Sequence, residues 1–170
     1  MIAIRRVAAA DERVQQGLCE LLVDAVDGGA SIGFLAPLAL TRAREYWSGA
    51  FRDTATGLVL WVAEEAGRVV GTIQLNPCRK DNAPHRAEVQ KLFVLGSHRG
   101  RGIASDLLAE VEAFARADGR TLLVLDTEKE SVAESVYRRR GWQRAGEIPN
   151  FALTPSGAMH ATVYYYKLLG

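Results

Sequence analysis

The spacing of apolar residues changes along the chain, and each change marks an element. Ile2 to Val7 alternates weakly, as a strand does. Ala8-Ala9-Ala10-Asp11 then leads into a helix, because Val14, Leu18, Leu21, Leu22, Ala25 and Val26 recur on one helical face. Gly28-Gly29 ends it, since glycine readily takes positive φ. The segment from Gly28 to Phe34 reads as a flexible loop, and Leu40 to Phe51 as a second helix carrying Tyr46 and Trp47. Leu58 to Ala63 and Val69 to Leu75 are apolar strands joined by the turn Glu65-Ala66-Gly67-Arg68, which predicts a hairpin. Asn76 to Pro84 is polar and contains two prolines, so a loop is expected before the strand Ala87 to Leu95.

A basic, glycine-rich turn follows, from Gly96 to Gly102. Ile103, Leu107, Leu108, Val111, Phe114 and Ala115 then mark a long helix closed by Asp118-Gly119. Thr121 to Leu125 reads as a buried strand, and Val132, Ala133, Val136 and Tyr137 as a short helix ending at Gly141. Gln143 to Phe151 and Ala161 to Leu168 are the last two strands, joined through Pro155-Ser156-Gly157. The order β-α-α-β-β-β-α-β-α-β-β predicts a mixed α/β domain, expected to be a single unit over residues 1–170.

Composition narrows the partners. The 170 residues are 48% hydrophobic, enough for one real core. Twenty-one Lys and Arg face twenty Asp and Glu, so global charge gives no argument for nucleic acid or an anionic membrane. No apolar run approaches the roughly 18 residues of a membrane span. At the N-terminus Arg5-Arg6 follows a short apolar stretch, the reverse of a signal peptide, so a cytosolic location is expected. Cys19 and Cys78 lie far apart without metal-ligand spacing, and His85, His98 and His160 read as surface or loop residues, so no metal is expected.

The strand–turn–helix unit from Glu88 to Ala115 carries the most chemistry. A glycine-rich turn at a helix start exposes several backbone N–H groups beside the positive end of the helix dipole, a setting suited to a phosphate or pyrophosphate. Arg99 and Arg101 add charge, and glycine at 100 and 102 lets the backbone approach a ligand. The turn has no lysine, so it is not a P-loop, and Gly100-Arg101-Gly102-Ile103-Ala104-Ser105 matches the dinucleotide fingerprint only in part.

Arg99-Gly100-Arg101-Gly102-Ile103-Ala104 does resemble the R/Q-x-x-G-x-G/A motif of the GCN5-related N-acetyltransferases, and it sits between an apolar strand and an amphipathic helix as in that family. Ala133 to Trp142 is similar to the family's A-x-x-L/V-Y-x-x-x-G-F/W segment, with Glu130 where many relatives carry asparagine. The segments 28–34, 86–92, 125–128 and 131–134 and the ending 165–170 resemble the tabtoxin-resistance branch, whose acceptor is a β-lactam amino acid. The resemblance implies the GNAT fold, a mixed and mostly antiparallel central sheet flanked by helices. It also implies acetyl-CoA as cosubstrate, a small amine as acceptor, direct transfer in a ternary complex, and C-terminal strands that can pair in a homodimer.

Carried over residue by residue, the cofactor would lie against Leu92, Phe93 and Val94 and be held by Arg99, Gly100, Arg101, Gly102, Ile103, Ala104 and Ser105. A backbone donor near Val94 would face the thioester carbonyl and stabilise an oxyanion. Glu88 and Asp126 are the candidate general bases, and Tyr137 is the candidate acid for the departing thiolate. Glu88 can also be read as a solvated strand-end charge, Asp126 as a cap, and Tyr137 as a packing residue. Ser31 and Phe34 are expected to line the acceptor pocket, although their loop can also be read as a simple helix connection. Arg138-Arg139-Arg140 reads as a solvated helix end, and Trp47 and Trp61 as core. Rival readings are an acetyltransferase acting on protein lysines or N-termini, a coenzyme A-binding module without turnover, and a nucleotide-dependent oxidoreductase, the last disfavoured by its glycine spacing.

Overall fold

The computed structural model describes residues 1–7 and 11–170; the expected lead-in at Ala8–Ala10 lies outside the described residues. Helix α1 (Glu12–Asp27) starts where the Asp11 side chain accepts from the N–H groups of Arg13 and Val14, which satisfies two donors that have no intrahelical partner. It ends at Gly28, and the left-handed residue is Gly29, at φ 88°. Helix α2 (Leu40–Thr54) runs one turn beyond the apolar pattern. Helices α3 (Ile103–Ala117) and α4 (Val132–Arg139) follow the glycine-rich turn and the fifth strand.

Seven strands form one sheet in the order β1 (Ile2–Val7), β2 (Val59–Glu65), β3 (Arg68–Pro77), β4 (Arg86–Val94), β5 (Leu122–Glu128), β7 (Met159–Leu168), β6 (Gln143–Leu153). All neighbours are antiparallel except β4 and β5, which run parallel. The mixed, mostly antiparallel architecture is the one expected. Several strand limits differ from the sequence reading, and β2 reaches Glu65. β3 continues through Asn76 and Pro77, because a proline is tolerated at a strand end where its missing N–H breaks no inner rung. β5 continues through Asp126 and Thr127 to Glu128, polar positions that pair with β7. The final hairpin is also longer, with β6 reaching Leu153 and β7 starting at Met159.

Helices cover both faces. Strand alternation sends Ile73 and Leu75 to one face and Thr72 and Gln74 to the other. On the first, α3 packs so closely that a Cβ at Gly71 would lie 3.2 Å from both Ile103 and Leu107. On the second, Trp47 of α2 is fully buried, its ring 6.4 Å from that of Phe93. Trp61 is also buried, so both tryptophans are core as expected.

One buried charge knits the elements on the α3 face together. Glu112 is 2% exposed and accepts from Trp142 Nε1 at 3.0 Å, Arg140 Nη2 at 3.0 Å and Lys167 Nζ at 2.8 Å. Arg140 is therefore not a solvated end of α4: it turns inward because a buried carboxylate needs partners. Replacing Glu112 by glutamine keeps the shape but strands two cations. We expect a loss of about 2 kcal/mol, below the cost of breaking a fully buried pair because both cations keep some solvent. Urea unfolding should show a lower midpoint at an unchanged slope.

Candidate active site

The cleft begins where β4 and β5 part. Their parallel pairing covers Arg86↔Leu122, Ala87↔Leu123 and Glu88↔Val124, and no later pairing joins them. β4 also carries a bulge: Gln90 pairs with Gln74 and Phe93 with Thr72, so Lys91 and Leu92 together oppose Ile73. Lys91 takes the left-handed conformation, φ 53°. Beyond the bulge, Leu95 N–H donates to Val70 O at 2.9 Å. Alternation then turns the N–H and C=O of Val94 away from β3, toward the gap. The Val94 carbonyl accepts from Arg99 Nε at 3.3 Å, and its N–H is left to the cleft.

The glycine-rich turn stands at the end of this gap. Gly96-Ser97-His98 is a short 3-10 turn, and Gly96 N–H donates to Asp24 of α1 at 2.8 Å. Gly100 and Gly102 have φ 76° and 83°, and a Cβ built on either meets nothing within 4 Å. Gly102 caps α3 without a side-chain hydrogen bond, so the first amides of the helix, at Ile103, Ala104 and Ser105, point into open space. Arg101 is not a free cation: its guanidinium forms two bonds to Glu65, at 2.9 and 2.7 Å. This pulls the Glu65 carboxyl down to about 2, chiefly through the Arg101 hydrogen bond. The turn thus offers the backbone of Arg101 rather than its charge. His98 also bonds Glu65, at 3.1 Å, so it is a structural contact rather than a loose surface residue.

The candidate acid stands on α4, and the candidate bases on β4 and β5, the two strands that part. Tyr137 of α4 is buried, with its ring 5.9 Å from that of Trp142 and 6.0 Å from that of Tyr165. Its hydroxyl has no hydrogen-bond partner among the described residues. Burial first, and the charge of Asp126 second, push its pKa well above the usual tyrosine range, so it keeps its proton. Asp126 is exposed on β5, where it accepts from Thr162 Oγ1 at 2.8 Å; it is a strand residue and not a cap. Register puts Glu88, Val124, Asp126 and Tyr164 on one face of the sheet. Glu88 is half-buried and lines a cavity of about 1030 Å³ between α2, the α1–α2 loop and the β3–β4 face.

Of the two expected pocket residues, Phe34 lines this cavity, its ring 5.5 Å from that of Tyr46. Ser31 instead bonds His160 at 2.8 Å, tying the α1–α2 loop to β7. His160 is accordingly a half-buried strand residue, not a loop one. Three cavity residues escaped the sequence reading. Lys91 Nζ donates to Ile32 O at 2.8 Å and lies 6.0 Å from the Phe34 ring and 5.6 Å from that of Tyr46. Tyr46 Oη donates to Gln74 Oε1 at 3.1 Å. The visible signals were a lone lysine inside an apolar strand and a glutamine inside the run Val69 to Leu75.

Glu130, the position where many relatives have asparagine, takes φ 64°. Asparagine adopts this left-handed conformation more readily than glutamate does.

An open amide-lined turn, a half-strand with polar groups turned away from β3 and a proton-holding tyrosine make up one candidate cleft. The comparisons agree. The model of the acetyltransferase (GNAT) family matches residues 31–142, more than half of the chain. The chain belongs to the acetyltransferase (GNAT) family. N-acetyltransferase 8 of Rattus norvegicus is 40% identical over 94 residues, covering 54% of this chain and 42% of that protein. The matched region thus spans less than half of the length of this mammalian relative. An uncharacterized N-acetyltransferase from the hisH-hisA intergenic region of Azospirillum brasilense is 32% identical over 130 residues, covering 75% of this chain and 76% of that one. Among solved structures, a ribosomal-protein-alanine N-acetyltransferase from Brucella melitensis superposes with TM-score 0.81 at 25% identity, covering 98% and 99% of the two chains. yncA from Salmonella typhimurium, solved with its cofactor acetyl-CoA, superposes with TM-score 0.79 at 20% identity, covering 99% and 94%. The GNAT fold binds acetyl-CoA, and the residues here fit that group: the turn has no Cβ to obstruct it and β4 has polar groups to spare. Among the described residues, no group of three or more His, Cys, Asp or Glu side chains is placed to hold a metal ion. No helix of the described residues is long and apolar enough to cross a membrane.

Proposed function

We propose that this chain acetylates the amine of a small, amino-acid-like molecule by direct transfer in a ternary complex with acetyl-CoA. The observation that carries this reading is the parting of β4 and β5, because the free Val94 N–H, the buried Tyr137 and two carboxylates border one gap. Acetyl-CoA supplies an activated acetyl thioester when bound. The turn from Arg99 to Ser105 would hold its phosphates, chiefly through the amides after Arg99, and Leu92, Phe93 and Val94 would hold its extended arm. The Val94 N–H donates where negative charge develops on oxygen. Glu88 takes the proton of the acceptor amine, Tyr137 holds a proton for the leaving sulfur, and Asp126, oriented by Thr162, supports the charge balance between them. Phe34 forms one wall of the acceptor cavity, and Ser31 fixes the loop that carries it.

The small-acceptor reading is supported by the resemblance to the tabtoxin-resistance branch and by the part-enclosed cavity, and a role against an amino-acid toxin or antibiotic belongs to it. Pairing of the exposed C-terminal strands in a homodimer is part of the same reading. A second reading, acetylation of a protein, is favoured by the likeness to the ribosomal-protein-alanine N-acetyltransferase from Brucella melitensis.

A thiol-release assay with acetyl-CoA against small amines, amino acids, β-lactam amino acids and N-terminal and lysine peptides separates the two. Release with a small amine supports the first, and release with peptides alone supports the second. With a responding acceptor, Glu88→Gln should lower kcat about 30-fold, whereas Asp126→Asn should cost only a few-fold. The reverse order would make Asp126 the base.

A further inference from the structure

Gln74 is 1% exposed, yet its Nε2 has no hydrogen-bond partner among the described residues. Buried amides are seldom left so, because an unmade bond costs about 1–3 kcal/mol. Tyr46 Oη donates to Gln74 Oε1 at 3.1 Å, which leaves the amide nitrogen over. Gln74 lies in the wall of the 1030 Å³ cavity, together with Tyr46 and Lys91.

Lys91 presents the same kind of vacancy in charge. Its ammonium is held by one carbonyl, Ile32 O, and by the faces of Phe34 and Tyr46, and it forms no salt bridge among the described residues. An ammonium has three donors, so two remain for a ligand. Desolvation is the main influence on it and disfavours its charged form; Asp126 and Glu88 offset this only from a distance. With Lys91 included, the cavity wall carries five cationic side chains against three carboxylates, and one of each, Arg42 and Glu45, are paired to each other at 3.0 Å. The free donors and the net charge ask for an anionic, planar acceptor of hydrogen bonds.

We propose that Gln74 Nε2 and Lys91 Nζ form a carboxylate subsite that orients the acceptor and selects for acceptors bearing a free carboxylate. The inference rests on the proposed small-molecule acceptor and deepens it. With the carboxylate on Lys91 and Gln74, the amine of an amino-acid-like molecule is directed along the same wall toward Glu88, which shares the cavity. Lys91 is then a positioning and specificity residue, and the β4 bulge is what turns it into the pocket.

The test uses direct binding, so that it does not depend on turnover. The common L-amino acids, each against its carboxamide, are titrated into the coenzyme A-loaded protein by calorimetry. At least one free acid should bind about 50-fold tighter than its amide, the expected worth of one to two charge-assisted hydrogen bonds. Lys91→Met should remove that preference and Lys91→Arg should retain most of it, while coenzyme A affinity stays the same in both. Gln74→Leu, with a melting curve to confirm folding, should weaken acid binding and leave the amide unaffected. Equal binding of acids and amides overturns the subsite, and so does a failure of every acid to bind. Thiol release with amines that lack a carboxylate would leave the acetyltransferase reading standing without the subsite. Acid-selective binding without thiol release from any amine would leave the subsite standing without that reading.

Discussion

Gly102→Val should weaken acetyl-CoA binding about 300-fold, the sum of forcing a β-branched residue into the left-handed region and screening amides that would otherwise meet phosphate oxygens. The position makes a clean test. A Cβ there meets nothing within 4 Å, so the substitution creates no clash inside the protein, and φ 83° is the only internal penalty. Calorimetry of acetyl-CoA binding is the measurement, with a melting curve to confirm folding. Gly102→Ala should fall between the two, because it carries the backbone cost but obstructs less. Wild-type affinity in Gly102→Val would mean that the cofactor phosphates sit elsewhere.

Tyr137→Phe should lower kcat about 100-fold, within the usual contribution of a positioned acid. The ring stays packed between Trp142 and Tyr165, so melting temperature and acetyl-CoA affinity should hardly change. The direction of its pKa sharpens the expectation. Burial raises it, so the hydroxyl is protonated throughout the neutral range and available as a donor. The loss should therefore appear in kcat, with little change in the affinity for either substrate. A variant as fast as the wild type would leave Tyr137 a packing residue only.

Most of the fold was legible because its elements are either strongly periodic or bounded by glycine. The helices α1 and α3 show an apolar face, and Gly29, Gly67 and Gly141 mark turns by their positive φ. The misread limits share one cause. Asp126 and Thr127 look like loop on polarity, but they belong to β5, and their polar character reflects the cleft they border rather than an absence of strand. Pro77 suggested a loop, yet it closes β3 opposite Ala87.

The candidate site was legible where its residues are adjacent in the chain. The turn from Arg99 to Ser105 is one continuous stretch, and Tyr137 lies in a recognisable segment. What stayed hidden depends on distant partners. The commitment of Arg101 to Glu65 spans 36 residues, the Tyr46–Gln74 bond 28 and the Lys91–Ile32 bond 59. The β4 bulge leaves only a faint trace, three apolar residues in succession at Leu92-Phe93-Val94 where strict alternation should have placed a polar one.

The short contact between β4 and β5 has a mechanical meaning. With pairing confined to three rungs, the sheet is two half-sheets joined at a narrow seam, one comprising β1 to β4 and the other β5 to β7. The Glu112 cluster, which reaches from α3 to Arg140, Trp142 and Lys167, clasps these halves from one side. A molecule threaded along the open edge of β4 would act as a wedge and a splint at once, keeping the seam from zipping shut and stiffening the join. The cosubstrate would then be a temporary part of the framework as well as the source of the acetyl group, and the protein would be most rigid at the moment when its reacting groups must be aligned.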